Sequence, residues 1–170
     1  MDRINKVLNH KNYVQYTEKI KEIESNRKLC HHDTEHFINV SRIMYIINLE
    51  NKLSFNKEVI YACGFLHDIG KWQQYEYDIP HEIASAKLAE KILVECDFKK
   101  EEICEILKAI KNHRNKENEK NSLSELLYKS DKLSRECFRC SAQKQCYWSE
   151  DKKNLKRSEE HTSELQSPSG

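Results

Sequence analysis

The chain has 170 residues, the size of about one domain, so two large domains are excluded. Its 29 basic residues against 28 acidic ones leave a formal charge of +1, which excludes the overall basic field that holds proteins on nucleic acid and leaves no extended nucleic-acid interface. With 38% hydrophobic and 34% charged residues and only three glycines and two prolines, the composition predicts an all-α fold whose helices have wet outer faces.

Met1–Leu29 carries a weak helical pattern (Val7, Tyr13, Val14, Tyr16, Ile20, Ile23) and reads as one peripheral N-terminal helix over residues 1–29. From Thr34 the spacing sharpens. His36, Val40, Ile43 and Ile47 fall on one helix face that ends near Leu49, with Asp33 or Thr34 as the cap. Phe55–Ile69 is a second helix, with Val59, Cys63, Leu66 and His67 on one side and Gly70 as its stop.

Asp78-Ile79-Pro80 is a start signal, and Ile83, Ala86, Ala89, Ile92 and Leu93 give the next helix an apolar face through Cys96, with His81 in its first turn. Glu101–His113 repeats the pattern, and the charged run Arg114–Lys120 reads as a solvated loop. Leu123 to about Arg135 is the fifth strong helix, with Leu123, Leu126, Leu127 and Asp131 on one stripe. No alternating strand pattern and no internal repeat is found.

No apolar stretch reaches the roughly 20 residues that cross a bilayer, and Met1–His10 has no apolar signal core, so the expectation is a cytoplasmic protein without a membrane partner. In such a compartment the seven cysteines are reduced thiols, some of them candidate metal ligands. The run Arg157–Ser167 resembles the in-frame translation of a sequencing-adapter oligonucleotide. Residues 157–170 are therefore read as a non-native tail, in which case the natural C-terminus is missing.

His36, His67, His113 and Asp131 each lie on an inward stripe of a different helix, although an unpaired buried polar group costs several kcal/mol. One such histidine alone is an ordinary core residue bonded to a carbonyl. Several converging from different helices call for a shared cation, and imidazole with carboxylate suits a divalent transition metal such as Fe, Mn, Co, Ni or Zn.

The order His36, His67-Asp68, Asp131, in the contexts His36-Phe-Ile-Asn-Val40, Phe65-Leu-His-Asp-Ile-Gly-Lys71 and Ser130-Asp-Lys-Leu-Ser-Arg135, resembles the HD-domain superfamily of metal-dependent phosphohydrolases. The resemblance covers roughly Leu29–Asn154 and implies an HD-type bundle of five or more helices, with the domain proper over residues 30–135 and a cysteine-containing extension over 136–156. It implies that His36, His67, Asp68 and Asp131 bind one ion. Family members with two ions add two histidines, which His81 and His113 resemble. Asp68 would then bridge the ions, and a metal-activated hydroxide would attack a phosphate ester or anhydride of a small substrate, most naturally a nucleotide. The ligand spacing is similar to that of the branch cleaving dinucleoside tetraphosphates symmetrically.

Lys71, Arg114, Lys132 and Arg135 each lie within four residues of an implied ligand and are candidates for holding phosphate. Lys71 and Arg135 stand inside the family phrases and join Asp68 as the implied catalytic set. His31 and His32 read as capping or supporting residues beside the first ligand. Cys137, Cys140 and Cys146, with Cys30 as a fourth, are a candidate second metal site holding Zn or an Fe–S cluster, the alternatives being a thiol switch or simple packing. Cys63, Cys96 and Cys104 read as small core residues. A mononuclear nucleoside-monophosphate phosphatase, an alarmone-type hydrolase and a non-catalytic metal or nucleotide sensor remain open as alternatives, as does the oligomeric state.

Overall fold

The computed structural model describes residues 1–156, so the tail assigned to 157–170 lies outside the described residues. The described chain forms eight α-helices and no strand: α1 (Asp2–Leu8), α2 (Lys11–Ile23), α3 (Thr34–Glu50), α4 (Lys57–Leu66), α5 (Lys71–Tyr77), α6 (His81–Glu95), α7 (Lys100–Asn112) and α8 (Leu123–Leu133). Three single 3-10 turns follow, at Cys137–Arg139, Gln143–Gln145 and Glu150–Lys152. No helix among the described residues is long and apolar enough to cross a membrane.

The single peripheral helix expected over residues 1–29 is instead two. The His10 ring accepts from the Asn12 backbone N–H at 3.2 Å and so starts α2 afresh. The break changes the phase of the apolar pattern: Val7, Tyr13 and Ile20 are buried, whereas Val14 and Ile23 face outward. The segment is not merely peripheral either, because Ile4, Val7 and Tyr13 join the main core.

Helices α3, α4 and α8 start at Asp33, Asn56 and Ser122, whose side chains accept backbone N–H groups of the first turn. The second helix is shorter than expected. It ends at Leu66, His67–Gly70 form a turn, and Gly70 begins α5 instead of closing α4. Helix α5 has no apolar stripe to betray it. Its Trp72 stacks on Tyr16 of α2 at 6.0 Å, and Asp78 in the left-handed conformation (φ 55°) turns the chain toward Pro80 and α6.

Helix α4 is the centre of the bundle, touching α1, α3, α6, α7 and α8, and is apolar nearly all round. Its closest partner is α3. There the buried face is His36, Phe37, Val40, Ser41, Met44 and Asn48, which leaves Ile43 and Ile47 of the expected stripe half-buried. The face turns because Ser41 sits against Gly64, where an added Cβ would stand 2.3 Å from Ser41 Oγ and 3.0 Å from its Cα. A second close approach joins Gly70 to α6: its N–H donates to Ser85 Oγ at 2.9 Å, and a Cβ there would meet Ser85 N at 2.3 Å. These contacts draw His36, the His67-Asp68 turn and His81 toward one point.

Gly64→Ala is expected to cost about 1–3 kcal/mol, since backbone atoms of α3 stand in the way. Thermal unfolding would read this as a fall of about 2–4 °C in Tm per kcal/mol, and an unchanged Tm would contradict the packing described.

Candidate metal centre

Six side chains from three helices (α3, α6 and α8) and from the ends of two more (α4 and α7) meet beneath the bundle surface. The ligand atoms of His36, His67, Asp68 and Asp131 all lie within 4.8 Å of one another, and so do those of Asp68, His81 and His113. Asp68 belongs to both groups. Its Oδ2 lies 3.3 Å from His67 Nε2 and 4.0 Å from His36 Nε2, while its Oδ1 lies 3.3 Å from His81 Nε2 and 3.6 Å from His113 Nε2. Asp131 Oδ1 completes the first group at 3.4 Å from His36 and 3.9 Å from His67.

Local structure aims each ring. His67 Nδ1 donates to the Gly64 carbonyl and His113 Nδ1 to the Ile110 carbonyl, both at 2.7 Å, because both histidines sit at helix ends where those carbonyls are free. His36 Nδ1 donates to Ser134 Oγ at 3.1 Å, and His81 Nδ1 to Gln74 Oε1 at 2.8 Å. In the neutral rings, with Nδ1 protonated, each Nε2 carries a lone pair pointing inward. The Nε2 atoms of His81 and His113 stand 3.2 Å apart beside the Asp68 oxygen, so that with both Nδ1 atoms protonated two lone pairs face each other, an arrangement that a cation between them relieves.

All six are buried. His67 Nε2 and Asp68 Oδ1 have no hydrogen-bond partner, a combination costly enough to need an ion. Burial drives the pKa of His36 down to about 3, with the Arg135 guanidinium adding to it, and that of His81 down to about 2, so both stay neutral and able to ligate. Burial also opposes the His67 imidazolium, but Asp68 and Asp131 outweigh it and raise it to about 9. The spot attracts positive charge. Burial pushes the Asp68 carboxyl up, yet His67 holds it well below the ordinary range, and Lys132 does most to hold Asp131 there. The donor set therefore fits one or two divalent ions.

The four basic candidates are placed unequally. Lys71 is buried with Nζ 3.3 Å from His81 Nδ1, and burial lowers its pKa against the pull of Asp68 and Asp131. Arg135 is buried, donating from Nη1 to the His31 carbonyl at 2.6 Å and from Nη2 to His36 Nε2 at 2.9 Å. Lys132 pairs with Asp131 Oδ2 at 2.9 Å, and Arg114 is exposed beside Glu82. All four line a cleft of about 330 Å³ over the centre.

Of the two readings given for His32, capping fails, because Asp33 caps α3, and the supporting role fits its place. The ring is buried, with Nε2 3.7 Å from Asp68 Oδ2 and Nδ1 donating to Glu24 Oε1 at 2.5 Å. The buried Glu24 also accepts from the His32 backbone N–H and from Tyr75 Oη. Nothing in the spacing of α2 marked this glutamate. The cleft is also lined by Tyr128 and by Tyr147, Trp148 and Lys152 of the extension, which folds back across the opening. Cys63 and Cys96 are core residues, but Cys104 is exposed, a correction that follows from its place on the outer face of α7.

Residues 34–136 match the HD domain family, and the chain belongs to it. A protein of Clostridium beijerinckii described as uncharacterized is 45% identical over 156 residues, covering 92% of this chain and 98% of the relative. No solved structure matches the chain significantly.

Wild-type protein loaded with Mn or Fe and freed of excess ion is expected to hold two ions per chain by elemental analysis. His81→Ala and His113→Ala are each expected to hold one, with the helical circular dichroism unchanged. One ion in wild type and variants alike would mean that the second donor group does not ligate.

Proposed function

We propose that this chain is a metal-dependent phosphohydrolase with two ions, acting on a phosphate ester or anhydride of a small molecule, with a nucleotide as the preferred class. The observation that carries the reading is the division of Asp68, whose two oxygens face two separate sets of imidazole nitrogens. A pair of ions 3.5 to 4 Å apart acidifies a water and supplies positive charge toward a phosphoryl group. The chain's own residues do the rest.

Asp68 and Asp131, kept ionised and buried, hold the positive charge in place, and the anchored rings fix its position. Lys71, its ammonium desolvated in the cleft wall, orients a phosphoryl oxygen, and Arg135 reaches the same floor from α8's end. Lys132 and Arg114 stand farther out and neutralise charge on the remainder of the substrate. Tyr128 and Trp148 offer aromatic faces, and Lys132 Nζ already lies 4.4 Å from the Tyr128 ring centroid. Such faces suit a nucleobase. A mononuclear phosphatase reading finds less support, because it leaves the convergence of His81 and His113 on Asp68 Oδ1 without a role. The similarity of ligand spacing to the branch that cleaves dinucleoside tetraphosphates puts these first in a substrate panel, beside nucleoside monophosphates and alarmones. The expected setting is the cytoplasm.

Phosphate or nucleotide release across that panel tests the reading. Prior chelation is expected to abolish turnover and added Mn or Fe to restore it. Asp68→Ala is expected to lower kcat at least 100-fold, while Arg114→Ala raises KM with kcat nearly kept. Hydrolysis that survives both chelation and Asp68→Ala would refute it.

A further inference from the structure

The extension after α8 presents a folding problem of its own. About 20 residues must be ordered, at about 1–2 kcal/mol each in backbone entropy, yet only Cys137 and Ala142 among its hydrophobic residues are buried. Few hydrogen bonds hold it: Gln143 Nε2 donates to the Cys137 carbonyl at 2.8 Å within the segment, and Asn154 Nδ2 ties its far end to the carbonyls of Leu133 and Arg135 at 3.0 Å each. A handful of such bonds, worth about 1 kcal/mol each, does not meet that cost. Something further must hold the segment.

The sulfurs are the remaining candidates. Cys137, Cys140 and Cys146, together with Cys30 from the linker before α3, wall one small cavity with Leu29 and Lys153, and none of the four forms a disulfide. The free space at its centre is about 10 Å³, close to what one water-sized sphere needs. A wall at that clearance stands about 3 Å or more from the centre. Zinc would draw four sulfurs to about 2.3 Å from its nucleus and to about 3.8 Å from one another. The four sulfurs are not among the donor groups that lie within 4.8 Å of one another. Thiolates spread more widely than a zinc tetrahedron holds them suit a body with atoms of its own between them.

We propose that Cys30, Cys137, Cys140 and Cys146 ligate an iron–sulfur cluster, whose core fills the space between the four sulfurs and fastens the extension to the bundle. The consequence for the cleft is direct. Cys146 immediately precedes Tyr147 and Trp148, which line the cleft, and Cys30 precedes His31, whose carbonyl receives Nη1 of the cleft-lining Arg135 at 2.6 Å. The cluster thus sets where the outer cleft wall lies, through residues separate from the His/Asp donors. This proposal does not depend on the hydrolytic reading.

The full chain is to be purified anaerobically and incubated with ferrous and ferric iron in equal amounts and sulfide, then desalted. Wild type is expected to retain acid-labile sulfide and iron with broad visible absorbance, and Cys137→Ala and Cys146→Ser to lose at least nine-tenths of both sulfide and absorbance. His36→Ala keeps them, since iron held by the His/Asp donors brings no sulfide. Stoichiometric zinc without labile sulfide, or sulfide retained equally when all four cysteines are replaced by alanine, would overturn the cluster. For the fastening role, Cys146→Ser is expected to keep its helical far-ultraviolet signal while trypsin cuts between Lys144 and Lys153 at least ten-fold faster than in clustered wild type. Equal cleavage rates would overturn that part.

Discussion

The whole architecture depends on one buried carboxylate whose two oxygens face opposite ways. Asp68 is almost fully buried, and around it five imidazoles and a second carboxylate arrive from both ends of the sequence. Taken alone such a group opposes folding, since desolvating charge in a protein interior costs several kcal/mol per ion. A bound cation converts the cost into stability in proportion to RT ln(1 + [ion]/Kd). Folding and metal loading are therefore linked, and the apolar core over α4 has to carry the helices to the point where the donors can be relieved.

That burden explains the two glycine contacts. Buried histidines can share an ion only if their helices approach more closely than large side chains allow. Ser41 against Gly64 brings α3 onto α4, and Gly70 against Ser85 brings the His67-Asp68 turn onto α6. The turn itself provides acceptors: because α4 stops at Leu66, the Gly64 carbonyl is left for His67, as the Ile110 carbonyl is left for His113 at the end of α7. Helix termination and ring orientation are one event at both places. Two of the four rings are thus held by backbone carbonyls, and the other two by the side chains of Ser134 and Gln74.

The positions of His36, His67, His113 and Asp131 were legible because each stands on, or at the end of, a helix whose apolar spacing shows its inward face, whereas Asp68 and His81 were reached through the family resemblance. The elements with such spacing were legible for the same reason. Helix α5 was not, since Lys71–Tyr77 is polar and aromatic and is held by Trp72 on Tyr16 and by Lys19 over the Trp72 ring, contacts that come from distant sequence. Glu24 was hidden for a related reason. A glutamate at the C-terminal end of α2 looks like a solvated residue until His32 and Tyr75 are folded against it, after which their hydrogen bonds outweigh burial and bring its pKa down to about 2. The break at His10 left only a cap signal weaker than serine or aspartate would give, and so one helix was read where two exist.

The near-zero net charge conceals how unevenly the charge is placed. Lys71, Arg114, Lys132, Arg135 and Lys152 all line one cleft, whose carboxylates are Asp68 and Asp131. With those two carboxylates occupied by cations, what remains facing a ligand is positive, and a low-dielectric concavity focuses that field outward. A volume of about 330 Å³ is at the small end for ligand sites. At its mouth stands Tyr147, which is 76% exposed. The outer limit of the cleft therefore rests with the extension and not with the buried histidines. Its position in turn rests on four sulfurs that have no part in the His/Asp donor groups.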